Sequence, residues 1–149
     1  MHSIEITKII EWDMGHRVPN HRNKCRHPHG HRYRLEVTLA GEVKSQAGAH
    51  DEGMIFDFCD LKQILKTAIH DPLDHIFMYC EDDSIMHSFA KTDAKNLNLF
   101  AVPFVPTAEN IVIWCHTQLV SHIPSHIKIS RLRLYETPNS WADFSPKNI

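Results

Sequence analysis

Two stretches of alternating polarity, Ile4–His16 and His31–Ala40, restrict the fold of this chain more than any other feature of its sequence. In the first, the even positions Ile4, Ile6, Ile10, Trp12 and Met14 are apolar, Lys8 is the one exception, and the series ends on His16. In the second, Tyr33, Leu35, Val37 and Leu39 share a parity that runs back through His31 to His29. A period of two marks a strand with one buried face. Side chains alternate across a strand, so His29 and His31 leave the backbone on the same side, with Gly30 leaving the opposite face unencumbered. A hairpin across the polar segment 17–28 would bring His16, His29 and His31 to one point.

Three neutral imidazoles around one ion leave a fourth tetrahedral position open, which is the arrangement of catalytic rather than structural zinc. Zn2+ is therefore the expected cofactor, although manganese, iron, copper or nickel fit the same donors in vitro because affinity order alone does not select zinc. A chain of 149 residues can bury a core without disulfides or a structural metal, so the ion points to chemistry rather than to folding. Histidine is abundant here, with 13 copies, and in such a chain many histidines are surface or satisfied core groups. His21, His27, His50, His87 and His126 have no supporting spacing or parity and take that reading.

Cys25 precedes His29 by four residues, among Arg22, Lys24 and Arg26. Positive charge and a nearby metal both favour the thiolate, the form that abstracts a proton or attacks. Cys59, Cys80 and Cys115 read instead as small hydrophobes. The four cysteines form no C-x-x-C pair, which fits a reduced compartment. Asp74-His75 is a candidate proton relay, although adjacent side chains commonly point apart. Glu136 shares a parity with Leu132 and Leu134, so a carboxylate ends a buried strand face. Thr107 and Glu109 suit the N-cap and first turn of a helix and need be no more than that. Arg17, Arg22, Lys24 and Arg26 could receive an anionic group, or form a solvated basic loop.

Elsewhere GMIFDF (53–58) suggests a strand with Met54, Phe56 and Phe58 on one side. Phe58, Leu61, Ile64, Leu65, Ala68 and Ile69 recur at helical steps, with Asp71-Pro72 as the stop. Residues 81–100 show no clear period and read as loop. A second helix follows Thr107, and Lys128–Glu136 reads as the last strand. The order predicts a single α+β domain over residues 1–149, with two helices packed on one face of an antiparallel sheet. Lys plus Arg (16) nearly balance Asp plus Glu (18), which gives no general attraction to nucleic acid or an anionic membrane. The N-terminal residues lack the unbroken apolar run of a signal peptide, so a cytoplasmic protein is expected.

Six motifs in register carry a resemblance over nearly the whole length: WDMGH (12–16), Cys25 with His29-Gly30-His31, GMIFDF before a helix, Leu73-Asp74-His75, PTAEN (106–110) and Glu136-Thr137-Pro138. The chain resembles the 6-pyruvoyl-tetrahydropterin and 6-carboxy-tetrahydropterin synthases of the tunnelling fold. The resemblance implies His16, His29 and His31 as zinc ligands and Cys25 as the base. It makes Asp74 and His75 its relay partners, with Glu136 joining the relay and holding the pterin, and Thr107 and Glu109 seating the ring. It also implies trimers whose sheets close into a barrel and stack as homohexamers. WDMGH departs from the frequent Phe-x-Ala-Ala-His, and Phe144 stands in place of a late tyrosine. The C-x-x-x-H-G-H spacing is similar to the carboxy branch. That branch implies conversion of 7,8-dihydroneopterin triphosphate to 6-carboxy-5,6,7,8-tetrahydropterin, triphosphate and acetaldehyde, in queuosine and 7-deazaguanine biosynthesis. The alternatives are the pyruvoyl reaction, without carbon loss, and a non-catalytic pterin- or metal-binding module.

Overall fold

The computed structural model describes residues 3–92 and 96–147. Among the described residues six strands form one sheet: β1 (Ile4–His16), β2 (His29–Gly41), β3 (Phe77–Cys80), β4 (Leu99–Val102), β5 (Lys128–Thr137) and β6 (Ser140–Phe144). Their spatial order is β4-β3-β1-β2-β5-β6. The helices are α1 (Phe58–Leu65), the single turn α2 (Asp71–Leu73), α3 (Ser84–Thr92) and α4 (Ala108–Leu119).

The two alternating stretches pair antiparallel, from Ile4 opposite Gly41 to His16 opposite His29. Trp12, Tyr33, Leu35, Val37 and Leu39 are fully buried. They pack with Leu132 and Leu134 of β5 against Leu61 and Leu65 of α1 and Ile111, Cys115 and Leu119 of α4. Each helix thus buries an apolar stripe on the same sheet face, and fully burying a leucine-sized side chain contributes about 1.5–3 kcal/mol.

The sheet is mixed rather than antiparallel. β3 runs parallel to both β1 and β4, because the helical segment 58–73 and then α3 carry the chain across between strands. The stretch 81–100 read as loop holds α3 and the start of β4. Its signals were faint because α3 buries only Met86 and β4 is four residues long. GMIFDF is not a strand. Ile55, not Met54 or Phe58, is the buried residue, and Asp57 ends the extended run by accepting Cys59 N–H at 2.6 Å as the N-cap of α1.

Asp71-Pro72 does not stop the first helix. A π-turn over Lys66–His70 leads directly into α2. Proline lacks an N–H and crowds the carbonyl four residues back, and the widened turn just before it accommodates both. The helix ends instead where Asp74 becomes extended, after its N–H donates to His70 O at 2.8 Å.

Candidate metal centre and active site

The β1–β2 register places His16 opposite His29 and Met14 opposite His31. Gly15 faces Gly30 in the same ladder, and a Cβ on Gly30 would lie 3.1 Å from Met14 O, so the glycine permits close strand approach there. β5 completes the group. Its pairing with β6 is irregular between Tyr135 and Thr137, at Glu136 itself, and such bulges re-aim side chains. The carboxylate turns to the histidines, with Oε1 3.1 Å from His16 Nε2 and 3.0 Å from His31 Nε2. One donor atom from each of His16, His29, His31 and Glu136 lies within 4.8 Å of the others.

Backbone carbonyls orient two of the rings. His16 Nδ1 is 2.7 Å from Pro106 O, and His29 Nδ1 is 2.7 Å from His27 O. Carbonyls only accept, so each Nδ1 carries the proton and each Nε2 turns a lone pair inward. Those two Nε2 atoms are 3.1 Å apart, and Glu136 adds a carboxylate oxygen at similar distance. Acceptors crowded around one point need a proton or a metal ion between them, and the group could hold a metal. His31 Nε2 is buried without an aligned hydrogen bond, which leaves it a free donor atom at the same point. Burial lowers the His31 pKa, and although the Glu136 carboxylate raises it, the His16 and His29 imidazoles add to the lowering, so the net shift favours the neutral ring that metals bind. Contact with His16 holds the Glu136 carboxyl below the usual range against its burial, aided by His31 and His29. The donor set fits a zinc-type ion.

Tyr33 forms the floor, its ring centroid 6.0 Å from His16 and 5.6 Å from His31, stacked on Trp12 at 5.8 Å. Two clefts open beside the cluster and share Gly30, His31 and Arg32. One of about 490 Å³ reaches His75, and another of about 410 Å³ reaches Glu136, Arg34 and Tyr135.

Asp74 and His75 do pair, with Asp74 Oδ2 2.8 Å from His75 Nδ1. The left-handed conformation of His75, with φ 63°, folds its ring back toward its neighbour. Asp74 Oδ1 accepts Asp13 N–H at 3.1 Å, and His75 N–H donates to Asp13 O at 2.7 Å, so β1 anchors the dipeptide. Burial alone would raise the Asp74 pKa, but the Asp13 N–H and His75 hold it below the ordinary value.

Cys25 is half-buried on a 3-10 turn, Lys24–Arg26, and stands outside the four converging groups. Among the described residues no hydrogen bond or ion pair joins it to Asp74 or His75. Thr107 is the N-cap of α4 and accepts Asn110 N–H at 3.4 Å, while Glu109 is exposed in the first turn. Arg22, Lys24 and Arg26 are exposed, but Arg17 is buried against Asp83 and is not a free cation. The Pro106 and His27 carbonyls were missed in the sequence because backbone acceptors have no residue signature. Pro106 is the first residue of the PTAEN motif, which is the signal that could have marked it.

Residues 5–147 match the family described as 6-pyruvoyl tetrahydropterin synthase. The chain belongs to the 6-pyruvoyl tetrahydropterin synthase family. Within it, the chain is 37% identical to a 6-carboxy-5,6,7,8-tetrahydropterin synthase of Haemophilus influenzae, covering 94% of this chain and 97% of the relative. A protein of the same name from Rickettsia felis is 32% identical, covering 94% and 99%. An uncharacterized protein of Wolinella succinogenes superposes with TM-score 0.81 at 26% identity, covering 99% and 100%. The 6-pyruvoyl tetrahydropterin synthase of Caenorhabditis elegans shares the fold, with TM-score 0.70 at 24% identity, covering 99% and 98%. The family's tunnelling fold is thus the fold of this chain.

Proposed function

We propose that the chain is a zinc-dependent 6-carboxy-5,6,7,8-tetrahydropterin synthase. It converts 7,8-dihydroneopterin triphosphate and one water to 6-carboxy-5,6,7,8-tetrahydropterin, with release of triphosphate and acetaldehyde, and serves queuosine and other 7-deazaguanine synthesis. The observation that carries the reading is a cluster of three imidazoles and a carboxylate that could hold a metal ion, in a chain aligned nearly end to end with relatives of that name.

His16, His29 and His31 would hold the ion, and when bound it supplies a Lewis acid that acidifies the substrate's side-chain hydroxyls. Cys25 takes the side-chain proton as thiolate and returns it as thiol. Asp74 fixes the His75 tautomer by accepting from Nδ1, which leaves Nε2 to exchange a proton with the substrate. Glu136, ionised in its place between the imidazoles, accepts from the N–H edge of the pterin and joins the relay. Glu109, exposed in the first turn of α4, and Thr107, whose hydroxyl also caps that helix, seat the ring. Arg22, Lys24 and Arg26 remain the cations of the 17–28 loop for the triphosphate. The working form is a homohexamer, a dimer of trimers, in the cytoplasm. Among the described residues no helix is long and apolar enough to cross a membrane.

The test is to incubate zinc-loaded protein with 7,8-dihydroneopterin triphosphate and follow acetaldehyde and the pterins by mass spectrometry. Acetaldehyde with the 6-carboxy product is expected. A pyruvoyl product without acetaldehyde would assign the other branch, and no turnover despite bound zinc would leave a binding module.

A further inference from the structure

Arg17 follows the metal-cluster residue His16 directly, yet its side chain leaves the cluster. It is 11% exposed, and its Nε lies 2.7 Å from Asp83 Oδ2 on a side chain only 2% exposed. Neither atom completes an aligned hydrogen bond, so the contact is a buried ion pair, in which each charge has lost its water and depends on the other.

Asp83 is itself held in place. Its Oδ1 accepts Met86 N–H at 3.3 Å, its carbonyl accepts His87 N–H at 2.8 Å, and its own N–H donates to Cys80 O at 2.9 Å. The acid is therefore fixed at the junction of β3 and α3. β3 in turn pairs with the end of β1, Gly15 with Phe77 and His16 with Met78. On the other side of Arg17, Val18 N–H donates to Cys25 O at 2.8 Å and His21 N–H to Val18 O at 3.1 Å. Arg17 thus stands where the strand carrying His16, the loop carrying Cys25 and the start of α3 meet.

We propose that Arg17, through Asp83, is a positioning residue for the site, holding His16 and the Cys25 loop in fixed relation. The inference rests on the reading of His16 as a metal ligand and Cys25 as the working thiol. A lysine cannot reproduce the planar, multi-donor guanidinium, and an asparagine at 83 keeps shape but loses charge.

The experiment compares the full chain with R17K and D83N. Folding is followed by circular dichroism and Zn2+ affinity by competition with a chromophoric chelator. The Cys25 alkylation rate with iodoacetamide is resolved from that of the exposed Cys59 by peptide mass spectrometry. The expected result is native circular dichroism, a Zn2+ affinity lowered roughly 10- to 100-fold, as for groups that orient metal ligands, and a severalfold change in Cys25 alkylation. Folded variants with both readouts within about twofold of the parent overturn the proposal and leave Arg17 purely structural. Should a single variant fail to fold, R17M/D83L, which buries an apolar pair instead, is read the same way. A parent chain that binds no Zn2+ would sink the metal reading, while Cys25 alkylation would still decide the part played by Arg17.

Discussion

The metal cluster and the proton-transfer groups are built in different ways. His16, His29, His31 and Glu136 come from three adjacent strands, and strand register brings them to one point. Two of the rings are also held by backbone carbonyls. Asp74-His75 comes from a turn after a helix, with the His75 side chain 72% exposed, and Cys25 sits on a short turn in a polar loop. Register is cooperative: a one-residue slip of any of these strands would move its ligands to the other face and expose its core residues with them, so the placement of the ligands is tied to the pairing of the sheet. The proton-transfer groups depend on a few local contacts: the Asp13 pairings, a positive φ and the Val18–Cys25 bond. None of them is a contact of the apolar core, so each is expected to be lost singly at less cost to the fold.

That contrast makes the variants separable. His31→Ala should have the largest effect, lowering Zn2+ affinity by more than the roughly 10- to 100-fold that supporting groups cost. Chelator competition measures this, and retained affinity would break the assignment of His31 to the cluster. Cys25→Ala should lower turnover on the order of 10²- to 10⁴-fold while one Zn2+ stays bound per chain, as read by elemental analysis. Loss of zinc together with activity would mean that the two regions are not independent. Asp74→Asn should reduce kcat by about 10²-fold, with native circular dichroism and unchanged zinc, because the amide can present an N–H where His75 needs an acceptor. Gly30→Ala sharpens the register argument: its Cβ would meet Met14 O at 3.1 Å, so Zn2+ affinity should fall severalfold while Cys25 alkylation is unchanged. Smallest is Thr107→Ala, which removes an N-cap and should cost about 1 kcal/mol of stability by thermal denaturation. An intact pterin affinity would reduce Thr107 to its cap, and a lost one would place it at the ring.

Much of this was legible because the informative segments are long and one-sided. Alternation from Ile4 to His16 and from His29 to Leu39 determined two strands, their buried faces and the side on which three histidines stand, since the period of two leaves no other assignment. The stripe from Leu61 to Ile69 determined a helix for the same reason at a different period. Short elements escaped notice. β3, β4 and β6 have four or five residues each, and α3 buries a single side chain, so none accumulates enough pattern.

Other features exist only in three dimensions. Lys128–Glu136 showed that Glu136 shares the parity of Leu134, but the bulge against β6 and the β2 pairing decided that its carboxylate meets His16 and His31. That Asp74 and His75 face each other required a left-handed His75 and two bonds to Asp13, sixty-one residues away for the Asp74 contact. Arg17 belongs to a basic stretch of sequence, and only the fold sets Asp83 against it. Periodicity is a local property that the chain displays residue by residue. Which distant groups meet a carboxylate, an imidazole or a guanidinium depends on pairing and crossovers, and only the folded sheet determines those.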